Sequence, residues 1–457
     1  MKILYLQDLL LTPLYLMVIY VVIFRLRATV KSQQQAAFFI PAFNFKVLGA
    51  VLLGLIYQFY YGGGDTFFYY SDGRQINSKD FWTALNIIFG TEDHIQTHYP
   101  WARYLTYFGD APSFMISRLS GLASLFSFKT YTVNSILFAS FSFAGSWKLY
   151  VALTDRYPTL HRELAIATLF VPSTFLWGAG LLKDSITFGA IGFVFYYFYF
   201  GVIKRKKFFW NGVGLMVSAL AVLSIKSYIL YALAPALFLW TYLEYQKRLP
   251  SPLLKFLFIL LQLIVIIGLT PFFIQSYGQE MNRQLDAFGA EAKETAEWIR
   301  YMSKEGSSYD IGELDGTFSG TIQYLPKAVF IAIFRPSILE ATNPLMLLAA
   351  LENLVIVLIV LRLLLRRGLL GIIRRFRQDN FLVFAMAFTI LFGFVIGVMS
   401  SNFGTLVRYK IPMLPFFISA LFVILGNRPS GRFISSSNQV KEEAPKQTRG
   451  YVRIRDR

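Results

Sequence analysis

The stretch FLVFAMAFTILFGFVIGVMS (381–400) holds twenty consecutive residues without a charge. A helix needs about 20 mainly apolar residues to cross the hydrocarbon core of a bilayer, so this stretch reads as a membrane span. Working outward, similar runs lie near 8–24, 45–61, 130–151, 163–182, 185–203, 208–225, 227–243, 253–273, 343–365 and 411–426. The pattern predicts an all-α polytopic bundle of about eleven spans over 1–426. The short pair 208–225 and 227–243 is separated only by Lys226 and its neighbours, and is expected to form a hairpin that stops below the interface. The apolar stretch 112–128 and this pair set the margin on the count.

Composition agrees. Of 457 residues, 55% are hydrophobic and 18% aromatic, only 15% are charged, and mean hydropathy is +0.50. Soluble domains carry roughly a quarter charged residues. There is no cysteine, which excludes disulfide frameworks, thiolate metal sites and cysteine nucleophiles. The formal net charge is +18, and a nucleic-acid partner would need that charge on one solvated face. Instead the cations gather after alternate spans. They are Arg25, Arg27 and Lys31; Arg156 and Arg162; Lys204 to Lys207; Lys247 and Arg248; and Arg362, Arg366, Arg367, Arg374, Arg375 and Arg377. The positive-inside rule makes that side the cytoplasm. The N-terminus is then outside, the first segment is a retained span rather than a signal peptide, and no nucleic-acid partner is expected. Residues 427–457 read as a basic, disordered cytoplasmic tail.

Two long segments remain on the outer side, 62–129 and 274–342. In the second, Met281, Leu285, Phe288, Ala292, Ile299 and Met302 recur at helical spacing, which predicts an amphipathic helix over about 279–303.

Ionisable groups near the hydrocarbon core are functional candidates by default, and here they gather at the outer ends of spans. Asp65 follows Gly62, Gly63 and Gly64 and precedes Phe67, Phe68, Tyr69 and Tyr70. Three glycines let the backbone turn sharply, and a partly dry aromatic setting suits a general base. The plain alternative is that Asp65 caps the next helix. Asp72 shares the site or only a turn. Lys183 and Asp184 occupy a turn too tight for an ordinary polar loop, where Asp184 or Ser185 could cap the following helix. Lys226 stands at the apex of the expected hairpin, with Tyr228 beside it, and could simply snorkel. Arg335 and the run Arg408, Tyr409, Lys410 stand outside, where cations call for an anionic partner. That partner is either a phosphate, which a guanidinium binds bidentately, or acids such as Glu340 and Asp315. His94 and His98 are four apart, but a structural loop explains them better than a metal site. No nucleotide-phosphate loop and no serine-hydrolase elbow occur.

An outward acid, outward cations and aromatic spans describe an enzyme that handles an amphiphile with an anionic head, without a cofactor or metal. The segments Gly63-Gly64-Asp65, Gly180-Leu-Leu-Lys-Asp-Ser185 and Arg408-Tyr-Lys-Ile-Pro412 resemble those of GT-C-type polytopic glycosyltransferases and of bacterial exopolysaccharide or O-antigen polymerase-like proteins. The resemblance implies a polyprenyl-phosphate-linked sugar donor, a glycan or lipid acceptor, and an inner-membrane location. It makes Asp65 the catalytic base and Arg408 a ligand of the donor phosphate. Asp72, Lys183, Asp184, Lys226, Tyr228, Arg335, Tyr409 and Lys410 join Arg408 as substrate-binding candidates. Two departures stand out: the acid follows the second span rather than the first, and no soluble external domain follows the last. A lipid-linked oligosaccharide flippase and a non-catalytic scaffold are the other classes considered.

Overall fold

The structure, a computed structural model, describes residues 3–249, 251, 253–254, 256–257, 287–298, 301 and 308–426. Among them the fold is all-α, with one isolated antiparallel bridge between Ser308 and Asn402 and no strand. The helices are α1 (Leu6–Ala28), α2 (Gln33–Leu55), α3 (Asp65–Ile76), α4 (Phe81–Phe89), α5 (Glu92–His98), α6 (Ala111–Phe126) and α7 (Tyr131–Arg156). There follow α8 (His161–Leu169), α9 (Pro172–Leu176), α10 (Lys183–Phe198) and α11 (Phe208–Arg248). The last are α12 (Phe318–Ile322), α13 (Leu325–Phe334), α14 (Pro344–Gln378), α15 (Asn380–Met399), α16 (Phe403–Tyr409) and α17 (Leu414–Leu425). Turns of π-helix extend α2 through Ile56–Tyr61 and α10 through Tyr199–Ile203.

Seven of these helices are long and apolar enough to cross a membrane, or eight if α16 and α17, bent by 69°, form one span. The chain is an integral membrane protein. By this measure the count of about eleven is not reached, for three reasons. The run 163–182, expected as one span, is broken into α8, α9 and irregular backbone. Most of 253–273 lies outside the described residues. The third is α11, in which the two expected runs 208–225 and 227–243 join across a non-helical break at Lys226 (φ −145°, ψ 75°), so that its 41 residues count once. Unbroken, it would be about 60 Å long. Its two ends nevertheless meet the same end of α10. Near its start, Asn211 packs so close to Gly201 that a Cβ on that glycine would fall 2.9 Å from it, and at its finish the Arg248 guanidinium donates to the Ile203 carbonyl at 2.6 Å. The apex meets the other end of α10, where Lys226 Nζ lies 2.6 Å from Asp184. So α11 doubles back at Lys226.

Tight packing sets the frame. A Cβ on Gly145 of α7 would fall 1.9 Å from the Gly189 carbonyl of α10, and one on Gly192 would fall 2.1 Å from the Gly145 carbonyl. Only small residues allow backbones this close, the usual contact between helices in lipid. An aromatic core joins α10, α11, α15 and α17: Phe195 lies 5.2 Å from Phe416, and Trp240 lies 5.2 Å from Phe384, between ring centroids.

At membrane depth, irregular backbone survives only where its polar groups are satisfied within the protein. The buried stretch 171–182 meets that condition through two charges. Glu352 of α14 accepts from the Ser173 amide and hydroxyl, both at 2.8 Å. Lys46 of α2 donates to the carbonyls of Thr174 (3.0 Å) and Gly178 (2.9 Å) and to Ser142 Oγ (3.0 Å). The acid sits at the amino end of α9 and the cation at its carboxyl end, the signs that the helix dipole favours.

Helices α3 to α6 form a cap on one end of the bundle, with a small core of its own that includes Ile76, Ile87, Ile95 and Phe114, while Phe67 and Tyr70 of α3 and Ile116 of α6 pack with Leu53 and Tyr131 of the bundle. Of the expected amphipathic helix over 279–303, residues 287–298 are helical; 279–286, 299–300 and 302–303 lie outside the described residues, as does the tail 427–457. The opposite end is tied by Arg156 to Asp379 (2.7 Å) and by the Tyr157 hydroxyl to the same carboxylate (2.6 Å).

Candidate functional site

The turn that delivers Asp65 is built from glycine. Gly62 (φ 70°) and Gly64 (φ 120°) occupy backbone regions that favour glycine. A Cβ on Gly64 would also approach the Tyr57 ring to 2.9 Å. Gly64 is the cap residue of α3, so Asp65 is not the cap; it opens the first turn. Its carboxylate turns instead to Arg408 Nη2 at 3.2 Å and accepts from the Tyr107 hydroxyl at 3.3 Å.

Arg408 lies in the last turn of α16 and is the hub. Its Nε and Nη2 lie 3.3 and 3.1 Å from one oxygen of Asp184, and its Nη1 lies 3.4 Å from the Tyr57 hydroxyl. The guanidinium also sits 5.9 Å from the centre of the Trp177 ring. The other oxygen of Asp184 receives Lys226 Nζ, and Lys226 in turn lies 4.5 Å from the centre of the Tyr409 ring. Tyr228 stacks on Phe392 with centroids 6.1 Å apart and stands 6.3 Å from Tyr409. Asp65, Asp184, Lys226 and Arg408, from four distant parts of the chain, thus form one continuous charged chain, with Tyr228 and Tyr409 beside it.

The two carboxylates differ sharply. The Asp184 side chain is 3% exposed and shared between two cations, while Asp65 is 45% exposed and holds one. Asp184 is a fixed anchor and Asp65 is the open edge. Neither Asp184 nor Ser185 caps α10; the Ser185 hydroxyl donates back to the Gly180 carbonyl at 2.6 Å.

Other sequence candidates stand nearby or apart. Lys183 reaches Asp110 at 3.4 Å. Asp72 is wholly buried and accepts from the Thr106 and Tyr107 amides (2.9 and 3.2 Å) and the Ser117 hydroxyl (2.9 Å). Burial raises its pKa against those three donors. Asp72 therefore holds the loop that presents Tyr107 rather than joining the cluster. Burial, and next the Asp65 charge, raise the pKa of the Tyr107 hydroxyl, which keeps it a donor. Arg335 bonds to Glu340 and lies 5.0 Å from the centre of the Phe403 ring, away from the cluster. Lys410 is buried and bonds to Asn353, whose amide donates to the Pro336 carbonyl at 2.8 Å. His94 and His98 stack on each other at 4.3 Å, and no group of three or more ligand-type side chains occurs among the described residues.

Sequence reasoning missed Tyr57, Tyr107 and Trp177, which touch the cluster, and Lys46 and Glu352, which hold the Trp177 segment. The last two had a signal: each is the lone residue of its kind in its helix, Lys46 the sole charge of α2 and Glu352 the sole acid of α14. Comparison of the chain with protein families, characterised proteins and solved structures finds no match.

Proposed function

We propose that the chain is a metal-independent membrane glycosyltransferase. It takes a polyprenyl-phosphate-linked sugar at the external face of a bacterial cytoplasmic membrane and passes the sugar to a glycan or lipid acceptor. A polysaccharide polymerase, which would use a longer donor, runs on the same chemistry. One observation carries this reading: Asp65, Arg408, Asp184 and Lys226 converge at one end of an apolar bundle. Stability does not require such a cluster, because well-packed apolar groups often replace buried ion pairs at no loss.

In this mechanism the donor's isoprenyl tail lies among the spans and its phosphate meets Arg408 and Lys226. The acceptor hydroxyl gives its proton to Asp65 as its oxygen bonds to the anomeric carbon. The bond from that carbon to the phosphate oxygen breaks, and the electron pair leaves with the phosphate. Fixed cations in a partly dry site stabilise the charge that develops there.

A lipid-linked oligosaccharide flippase is the second reading, favoured by the deeper buried charges Lys46, Glu352 and Lys410. All three bond to other groups of the protein, which weighs against a transport path. Asp65→Asn and Arg408→Ala separate the readings. Cell-surface glycan made by either variant is expected to fall by about 10²-fold or more, the contribution of a positioned base or oxyanion ligand. Normal glycan from stably inserted variants rejects the enzyme. Precursor that accumulates only on the cytoplasmic face favours the flippase.

A further inference from the structure

We infer that Asp65 occupies the donor-phosphate position on Arg408 when the site is empty, so that phosphate binding and release of the base are a single exchange. This inference rests on the glycosyltransferase reading above and adds a regulation of that site. The geometry supplies the asymmetry it needs. Asp184 grips Arg408 through both Nε and Nη2, is itself held by Lys226 at 2.6 Å, and is 3% exposed. Asp65 touches Arg408 through Nη2 alone at 3.2 Å and is 45% exposed. A half-exposed, singly bonded ion pair is weak, whereas breaking the buried one would leave charges unpaired. An incoming phosphate monoanion that competes for Arg408 therefore displaces Asp65 and not Asp184.

The charges fit that exchange. Two cations face two carboxylates, so the cluster is neutral in itself. A phosphate that takes the place of Asp65 keeps Arg408 and Lys226 matched by two anions, and the freed carboxylate becomes an available acceptor at the edge. There it can receive a hydroxyl proton. While Asp65 is paired, both its oxygens are engaged, one by Arg408 and the other by the Tyr107 hydroxyl, so neither is free to meet an acceptor hydroxyl. Coupling its release to donor binding confines the active base to the loaded site. Tyr107, which donates to Asp65 at 3.3 Å, is placed to steer the released side chain.

The test is the affinity of the purified full-length chain in detergent for a short-chain isoprenyl monophosphate, with inorganic phosphate as a parallel probe. Asp65→Asn removes the competitor and keeps the shape of the side chain, so the isoprenyl phosphate is expected to bind about fivefold more tightly than to the wild type. Transfer activity is lost in the same variant. Tighter binding of both probes assigns the exchange to the phosphate alone; tighter binding of the isoprenyl form only assigns it to the lipid headgroup seated by its tail. Equal or weaker binding by the variant, with unchanged thermal unfolding, overturns the exchange and leaves the enzyme reading standing. Binding to neither chain overturns both. Asp65→Ala serves as a second variant, with the same expectation and the same overturning result.

Discussion

Asp184 receives two cations on its two oxygens, Lys226 at 2.6 Å and Arg408 at 3.1 Å, in a setting almost closed to solvent. Removing one member of such a group strands the others, typically at about 3–5 kcal/mol. Asp184→Asn is therefore expected to lower thermal stability in detergent markedly. Adding Lys226→Met to it should recover part of the loss, because one stranded charge is gone. A double variant less stable than Asp184→Asn alone would show that Lys226 is held by something other than Asp184. At this scale the sequence was readable where a charge broke the local pattern. Asp65, Asp184, Lys226 and Arg408 stood out because they gather at the outer ends of the expected spans, the side where cations are disfavoured. Tyr57, Tyr107 and Trp177 did not, because in a chain that is 18% aromatic one more ring carries no signal. Asp72 and Arg335 looked alike on paper, yet each is satisfied locally, by backbone amides in one case and by Glu340 in the other.

Among the elements, the turn at Gly62–Gly64 and the clamped helix α9 set where the cluster forms. Gly64→Ala would add a Cβ 2.9 Å from the Tyr57 ring at φ 120°, and strain of this kind costs roughly 1–3 kcal/mol. The expected result is a folded protein whose transfer rate falls more than its unfolding temperature, since the displaced turn carries Asp65. Activity unchanged in that variant would mean that the turn does not position the base. Lys46→Met would leave the Thr174 carbonyl without this donor, whereas Gly178 keeps the Ser142 hydroxyl. A buried acceptor left unpaired costs about 1–3 kcal/mol, so hydrogen exchange across 171–182 should rise while that of α7 does not. The periodicity of apolar residues could locate 163–182 as membrane-embedded, but not its division into α8, α9 and a bent segment. That division depends on Lys46 and Glu352 arriving from other helices.

For the molecule as a whole, fold class follows from apolar run length, because lipid leaves the backbone little choice but helix. Span number does not follow so simply. A run of suitable length can break, as 163–182 does, whereas the hairpin expected of 208–225 and 227–243 is present in α11. The proposed orientation is directly measurable, since the chain has no native cysteine. Ser78 and Lys206 are both exposed. Ser78→Cys should react with an impermeant maleimide in intact spheroplasts, and Lys206→Cys only after permeabilisation. The reverse pattern would invert the topology and place Asp65 on the cytoplasmic side.

The hairpin in α11 also constrains biogenesis. In the proposed orientation its apex must carry Lys226 across the bilayer, a passage that the translocon scale sets at about 2.5–3.5 kcal/mol for a lysine at the centre of a helix. Asp184 lies 42 residues earlier and so emerges from the ribosome first, at the end of the span that α11 will flank. The hairpin thus inserts beside a counter-ion already in place, and the order in which the chain is made becomes part of how the site is assembled.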